Sequence, residues 1–215
     1  KIATPWCTCI DSDDLMPRDA VELILNEIKN VNDEMIYGLV GLDADFSFNI
    51  LGSSFPDDVQ KVKMHELQNR YGITGDKKQV YKTEILRKLP PYPIFEGEKL
   101  VPLSYKTLLA ERNFYLKPLN KVLCLVEYQE DGSTRNMLKQ YRRNPKGFSF
   151  MRREILNANV PLKEKLKSAV HLVSSSLFTL DLKNLFRTQH LLLILVAIPA
   201  GILLNIYIRI RNTVV

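Results

Sequence analysis

Cys7-Thr8-Cys9-Ile10-Asp11-Ser12-Asp13-Asp14 is the stretch whose reading decides the fold. A short apolar run, read as a buried strand, ends in three carboxylates, and Pro17 then opens a helix. Like charges crowded at a strand end repel one another unless a cation or solvent compensates them. In an extended chain Asp11 and Asp13, two residues apart, project to the same side and can approach one oxygen-liganded ion. Magnesium or manganese suits such ligands, with a substrate diphosphate completing the octahedron. The plainer alternative is a helix cap, because Asp is a favoured N-cap and Asp14 stands three residues before Pro17. An EF-hand fits less well still, since Leu15 and Met16 follow where its loop needs further ligands. The arrangement predicts Asp11 and Asp13 at the C-terminal end of a central strand, open to a groove.

The flanking sequence alternates in a way that favours α/β. Ala20, Val21, Leu23, Ile24 and Ile28 recur at helical spacing within 17–31. Residues 34–40 read as a strand, 41–45 as a turn and 46–51 as a second strand. A polar helix is expected from Pro56 to Tyr71, ended by Gly72, and a short strand and helix from 75 to 89, stopped by Pro90-Pro91. Residues 114–117 and 122–128 read as two strands, the second a hairpin partner.

Composition limits the partners without choosing among them. A chain of 215 residues with 46% hydrophobic and 25% charged residues is globular, and its net charge of +6 points to an anionic partner: a nucleotide diphosphate, an acidic lipid headgroup or nucleic acid. Three cysteines without ligand spacing argue against a disulfide scaffold, and Cys7 and Cys9, on a strand, are expected to pack into the core.

After Pro161 the character changes. Leu162, Leu166, Val170 and Val173 form a stripe against Lys163, Lys165 and Lys167, a basic amphipathic pattern suited to a membrane surface or a helical partner. His171 beside it reads as structural. The apolar run from Leu191 to Ile208 is broken by Pro199, Gly201 and Asn205, stands at the lower limit of a transmembrane length, and is followed by Arg209 and Arg211. A kinked span, a re-entrant helix and a shallow hairpin all fit it.

The strand, the Asp-Ser-Asp-Asp turn and the Pro-initiated helix together resemble the Asp-x-Asp strand end of the family-2 glycosyltransferases, inverting enzymes of GT-A fold. Gly75-Asp76, Val80-Tyr81-Lys82 and Phe95-Glu96-Gly97-Glu98-Lys99 resemble a bacterial subgroup associated with surface polysaccharides. The resemblance implies that residues 1–159 are the metal- and acceptor-binding half of a GT-A (Rossmann-like) domain, without the nucleotide-binding half that normally precedes it. Residues 160–215 are then a helical membrane-associating tail. It implies transfer of a sugar from a nucleoside-diphosphate-sugar to a hydroxyl of a glycan or lipid-linked acceptor, with a divalent metal held by Asp13 and Asp11. Glu98 is the preferred base and Glu96 the alternative, although Lys99 departs from the family's Glu-Asp pattern. The basic run after Arg135 reads as a solvated helix face, the alternative being that Arg142 or Arg143 meets phosphate or an acidic headgroup. Glu127–Thr134 resembles the segment that turns back over the diphosphate, and a plain Asp-Gly turn followed by a Ser/Thr helix cap reads it equally well. Nucleic acid is not among the implied partners, and the implied location is a bacterial cell membrane with the catalytic part cytoplasmic. A metal-dependent nucleotidyltransferase and a non-enzymatic membrane-bound interaction module are the alternatives. The opening Lys1-Ile2-Ala3 leads straight into a core strand, so Lys1 is not expected to be the natural N-terminus.

Overall fold

The structure is a computed structural model that describes residues 2–127 and 136–212. All but Glu127 of the stretch expected to cover a diphosphate lies outside the described residues. The chain is mixed α/β and divides into two compact units: Lys1–Pro90 with Leu109–Tyr128, and Pro91–Leu108 with Gln129–Val215.

The first unit is built on a four-stranded mixed sheet. Strands β1 (Trp6–Thr8), β2 (Ile36–Ala44), β3 (Lys77–Lys82) and β4 (Tyr115–Leu125) lie in the order β1-β3-β2-β4. β3 is antiparallel to both β1 and β2, and β2 is parallel to β4, so β1, β2 and β4 all run the same way. Their C-terminal ends therefore share one edge of the sheet with the start of β3. The Asp-bearing strand is an edge strand of this sheet and not the central one expected, because β3 and β2 separate it from β4.

β2 is the central strand, and all nine of its residues are buried. It runs on through Gly41, Leu42 and Asp43, where the sequence reading places a turn, because β3 and β4 both pair with that part of it. The expected strand over 46–51 is instead a tight turn. The Asp45 side chain accepts the backbone N–H groups of Ser47 and Asn49 and the Asn49 amide, which draws the chain away from a ladder. The expected hairpin over 114–128 is also replaced. Those residues form the single strand β4, bulged against β2 and paired with it in parallel.

Helix α1 (Ala20–Ile28) packs Ala20 and Ile24 against Leu39, Val80 and Leu123 of the sheet. α2 (Met64–Tyr71) begins well after Pro56, since Val62 is held in a bridge to Leu116 and Glu111 accepts the Met64 N–H at 2.5 Å. It ends at Gly72 in a left-handed conformation, as expected. α3 (Thr83–Lys88) stops before the prolines, and α4 (Ser104–Ala110) precedes β4.

The second unit is helical: α5 (Met137–Arg143), α6 (Pro145–Asn157), α7 (Leu162–Thr179) and α8 (Leu191–Arg211), with a tight turn of helix at Leu182–Phe186. Leu156, Ala169, Leu172, Val173, Leu185, Ile194 and Ala197 form its core. α8 has the length and apolar composition needed to cross a membrane.

The close pairing of β2 leaves no room at Gly38, where an added Cβ would stand 2.4 Å from the Val80 carbonyl oxygen and 2.8 Å from Leu116 Cδ2. Gly38→Ala is expected to lower stability by about 2 to 3 kcal/mol. Gly72→Ala, where nothing lies within 4 Å, should cost only the left-handed backbone strain of about 1 kcal/mol. Urea denaturation in mild detergent measures both, and equal losses would contradict the packing described.

Candidate functional site

The Asp11–Asp14 stretch leaves the end of β1 as a tight turn, with the Asp14 N–H donating to the Asp11 carbonyl at 3.1 Å. It is not the extended segment expected to align Asp11 and Asp13. Immediately afterwards Leu15 pairs with Leu125 in an antiparallel bridge, donating at 3.0 Å and accepting at 2.7 Å. Leu125 ends β4, on the far side of the sheet from β1, so the turn must cross the whole C-terminal edge. In crossing, it passes over the start of β3 and the end of β2.

That path brings together residues that are remote in sequence. The Lys78 ammonium donates to the Cys9 carbonyl at 3.0 Å and lies 3.9 Å from the Asp14 carboxylate. The Cys124 thiol donates to the same carboxylate at 3.7 Å. Asp43, paired with Cys124 across β2 and β4, is only 6% exposed. Its Oδ1 has no hydrogen-bond partner among the described residues. Lys77 is buried at the same edge, and its ammonium is shared among the carbonyls of Thr74, Asp76, Gly75 and Leu51 at 2.7 to 3.4 Å. Those contacts tie the 51–52 loop to the 74–76 turn.

Burial dominates the electrostatics of this edge. It lifts the Asp43 carboxyl to about 6, with Asp76 and Asp14 adding to the rise and Lys78 opposing it. Asp14 is raised as well, by burial first, while Lys78 and the Cys124 thiol pull the other way. Burial pushes the Cys124 thiol up to about 11, which leaves it an unreactive thiol. Asp11 and Asp13, by contrast, are exposed.

Two exposed carboxylates on a turn suit a magnesium or manganese ion that takes most of its ligands from diphosphate and water. Among the described residues no three His, Cys, Asp or Glu side chains converge as a ready cage. A site of this kind would depend on substrate oxygens for its remaining ligands. Of the cysteines expected in the core, Cys7 is half-buried and Cys9 exposed, because β1 is an edge strand.

The other expected site residues belong to the second unit. Both Glu98 oxygens accept backbone N–H groups at the start of α6, from Lys146 and Gly147 at 2.8 Å each. This contact caps the helix. Asn144 completes the junction by accepting the N–H groups of Lys99 and Leu100. Glu96 is exposed in the preceding turn, two residues away. Arg142 and Arg143 are exposed in the last turn of α5, where cations interact favourably with the helix dipole. His171 stacks 4.9 Å from the Tyr141 ring, and burial, aided by Arg152 and Lys167, drives its pKa down to about 3. It is therefore a neutral packing residue, in keeping with the sequence reading.

Asp43, Lys78 and Cys124 escaped the sequence reading. Asp43 stood in an expected turn, and nothing local distinguishes it. The available signal was positional, since a carboxylate at the end of an apolar strand sits where ligands of α/β sheets gather. No family model matches the chain, and neither does any curated protein or solved structure.

The folded Asp43 carboxyl titrates above its unfolded counterpart, so the native state holds the extra proton between about pH 4 and pH 6. Stability therefore falls as pH rises through that window. Asp43→Asn is expected to stabilise the protein by on the order of 2 kcal/mol at pH 7.5, and the gain should disappear near pH 4. Urea midpoints of the two proteins at both pH values measure this. A gain independent of pH would remove Asp43 as the titrating group.

Proposed function

We propose that the chain is the metal- and acceptor-binding part of an inverting, GT-A-type glycosyltransferase that uses a nucleoside-diphosphate-sugar. The observation that carries this reading is the convergence of the Asp11–Asp14 turn, Asp43 and Lys78 on the C-terminal edge shared by β1, β2 and β4. Open α/β sheets bind their ligands at this kind of edge. The resemblance of the Asp-x-Asp stretch to the family-2 enzymes gives the edge its chemistry.

Asp13, assisted by Asp11 through metal or ribose, would hold a divalent ion, whose charge would offset that building on the departing diphosphate. Lys78 keeps Asp14 paired, which leaves the two exposed carboxylates for that role. A glycan or lipid-linked acceptor hydroxyl must lose its proton as it attacks, and Glu98 is the preferred acceptor of that proton. Its two capping bonds hold the carboxylate in place and still leave each oxygen a second lone pair. Exposed Glu96 is the alternative. The apolar α8 supports work at a membrane, in this reading the cytoplasmic face of a bacterial cell membrane.

In the complete natural polypeptide, Asp13→Ala is expected to reduce metal-dependent release of nucleoside diphosphate from a nucleotide-sugar at least 100-fold without changing the fold. Steady turnover in that variant would overturn the metal assignment. Release of pyrophosphate from a nucleoside triphosphate by the native chain would favour the nucleotidyltransferase. Glu98→Gln should lower both transfer and, by about 1 kcal/mol, stability, because it weakens the α6 cap. If Glu96→Gln abolishes transfer and Glu98→Gln affects only stability, the base is Glu96.

A further inference from the structure

α8 has two faces that its sequence hides. Ile194, Ala197, Gly201, Asn205 and Ile208 are buried, and Leu192, Val196 and Leu203 on the opposite side are 79%, 70% and 67% exposed. Leu195, Pro199, Ile206 and Ile210 complete that outer stripe, which is apolar from end to end.

The inner face is fastened to α7, and the two helices run in the same direction. Lys165 lies 3.5 Å from His190 at one end. In the middle, a Cβ at Gly201 would be 2.5 Å from the Val173 Cβ. Further along, Asn205 donates to the Ser174 carbonyl at 3.0 Å and accepts from Arg209 at 2.8 Å. At the far end Arg209 lies over the Phe178 ring. Every level of α8 thus has a level of α7 beside it. α7 in turn packs against α6, and Asn184, in the segment returning from α7 to α8, bonds to Arg153, Ser149 and Ser176.

This attachment conflicts with a crossing. If α8 stood across a bilayer, exposed Lys167 on α7 would fall inside the hydrocarbon, between the levels of His190 and Gly201. So would the returning segment, with Asp181, Lys183 and Arg187. Charged groups at that depth are strongly disfavoured. With the helix axis in the membrane plane, they all stay on the water side.

We propose that α8 lies in the plane of the membrane, with its Leu192-to-Ile210 stripe embedded in a single leaflet rich in anionic lipid. Charge complementarity selects this occupant. Exposed Arg209 and Arg211 stand on α8 at the end of the stripe, Tyr207 stands beside Arg211, and the segment leading into α8 exposes Lys183 and Arg187 together with Leu182 and Phe186. An apolar face with cations and an aromatic at its end is the pattern of an interfacial helix. Here the polar side that such a helix requires is supplied by α7 and α6. The proposal rests on the membrane part of the preceding reading.

The test uses the complete natural polypeptide with every native tryptophan, Trp6 included, replaced by Phe, added to preformed phosphatidylglycerol–phosphatidylcholine vesicles. Leu192→Trp, Leu203→Trp and Ile210→Trp report depth through quenching by lipids brominated at shallow or deep acyl positions. In the plane, all three should be quenched best by the shallow label. In a crossing, positions 192 and 210 would lie about 13 Å from the midplane and 203 close to it. Deep quenching confined to Leu203→Trp would therefore overturn the in-plane arrangement while sparing membrane association. No quenching, and no flotation with vesicles, would overturn membrane association itself, and an added dimer would assign the stripe to a second copy. A peptide epitope after Val215 in the otherwise unmodified chain gives an independent reading: external protease should remove it, and protection would overturn the proposal.

Discussion

Leu15 and Leu125 exchange both backbone hydrogen bonds, and this short bridge governs the first unit. It joins the chain leaving an edge strand to the last residue of the strand at the opposite edge, so the intervening turn must pass over the sheet. Asp14 consequently meets Lys78 from β3 and Cys124 from β4, and Asp43 at the end of β2 is closed over. The same crossing delivers α1 to the face where Leu39, Val80 and Leu123 await it.

Several polar side chains elsewhere in the described residues find partners at points where a loop needs fixing. Asn120 exchanges hydrogen bonds with both backbone groups of Phe55 at 2.8 Å. Glu111 takes the first N–H of α2 together with His65. Asn144 and Glu98 fasten the 95–100 loop to α6. Each of these contacts offsets the desolvation of the group that makes it. Asp43 differs, because its Oδ1 is buried without such a partner and its carboxyl is lifted to about 6. Thr83, Ser168 and Ser174 also bury a hydroxyl oxygen without a hydrogen-bond partner among the described residues, and Asp43 is set apart from them by the upward shift of its carboxyl.

Much of the helix content was legible because helix signals are local. Periodic apolar residues marked α1, Gly72 ended α2, and Pro90-Pro91 ended α3. The Asp11–Asp14 turn was legible as a place of chemical interest, since three carboxylates in four residues need an explanation wherever they lie. Strand limits were harder to read. β2 and β4 are long because they pair with each other in parallel, and Gly41, Asp43 and Pro118 look like breaks only when that partner is unknown.

The sequence by itself determined that this is a mixed α/β chain with an acidic turn after its first strand and an apolar helix near its C-terminus. Those properties depend on residues within a few positions of one another. Tertiary structure alone decided that β1 is an edge strand, that Asp43 and Lys78 join the acidic turn, and that Glu98 caps a helix 47 residues further on at Pro145. It also decided which side of α8 is covered, because a helix apolar all round carries no mark of the face its neighbour takes. The reason is common to all of these: pairing partners and packing faces are set by contacts between segments far apart in the chain, and no local pattern of residue types encodes them.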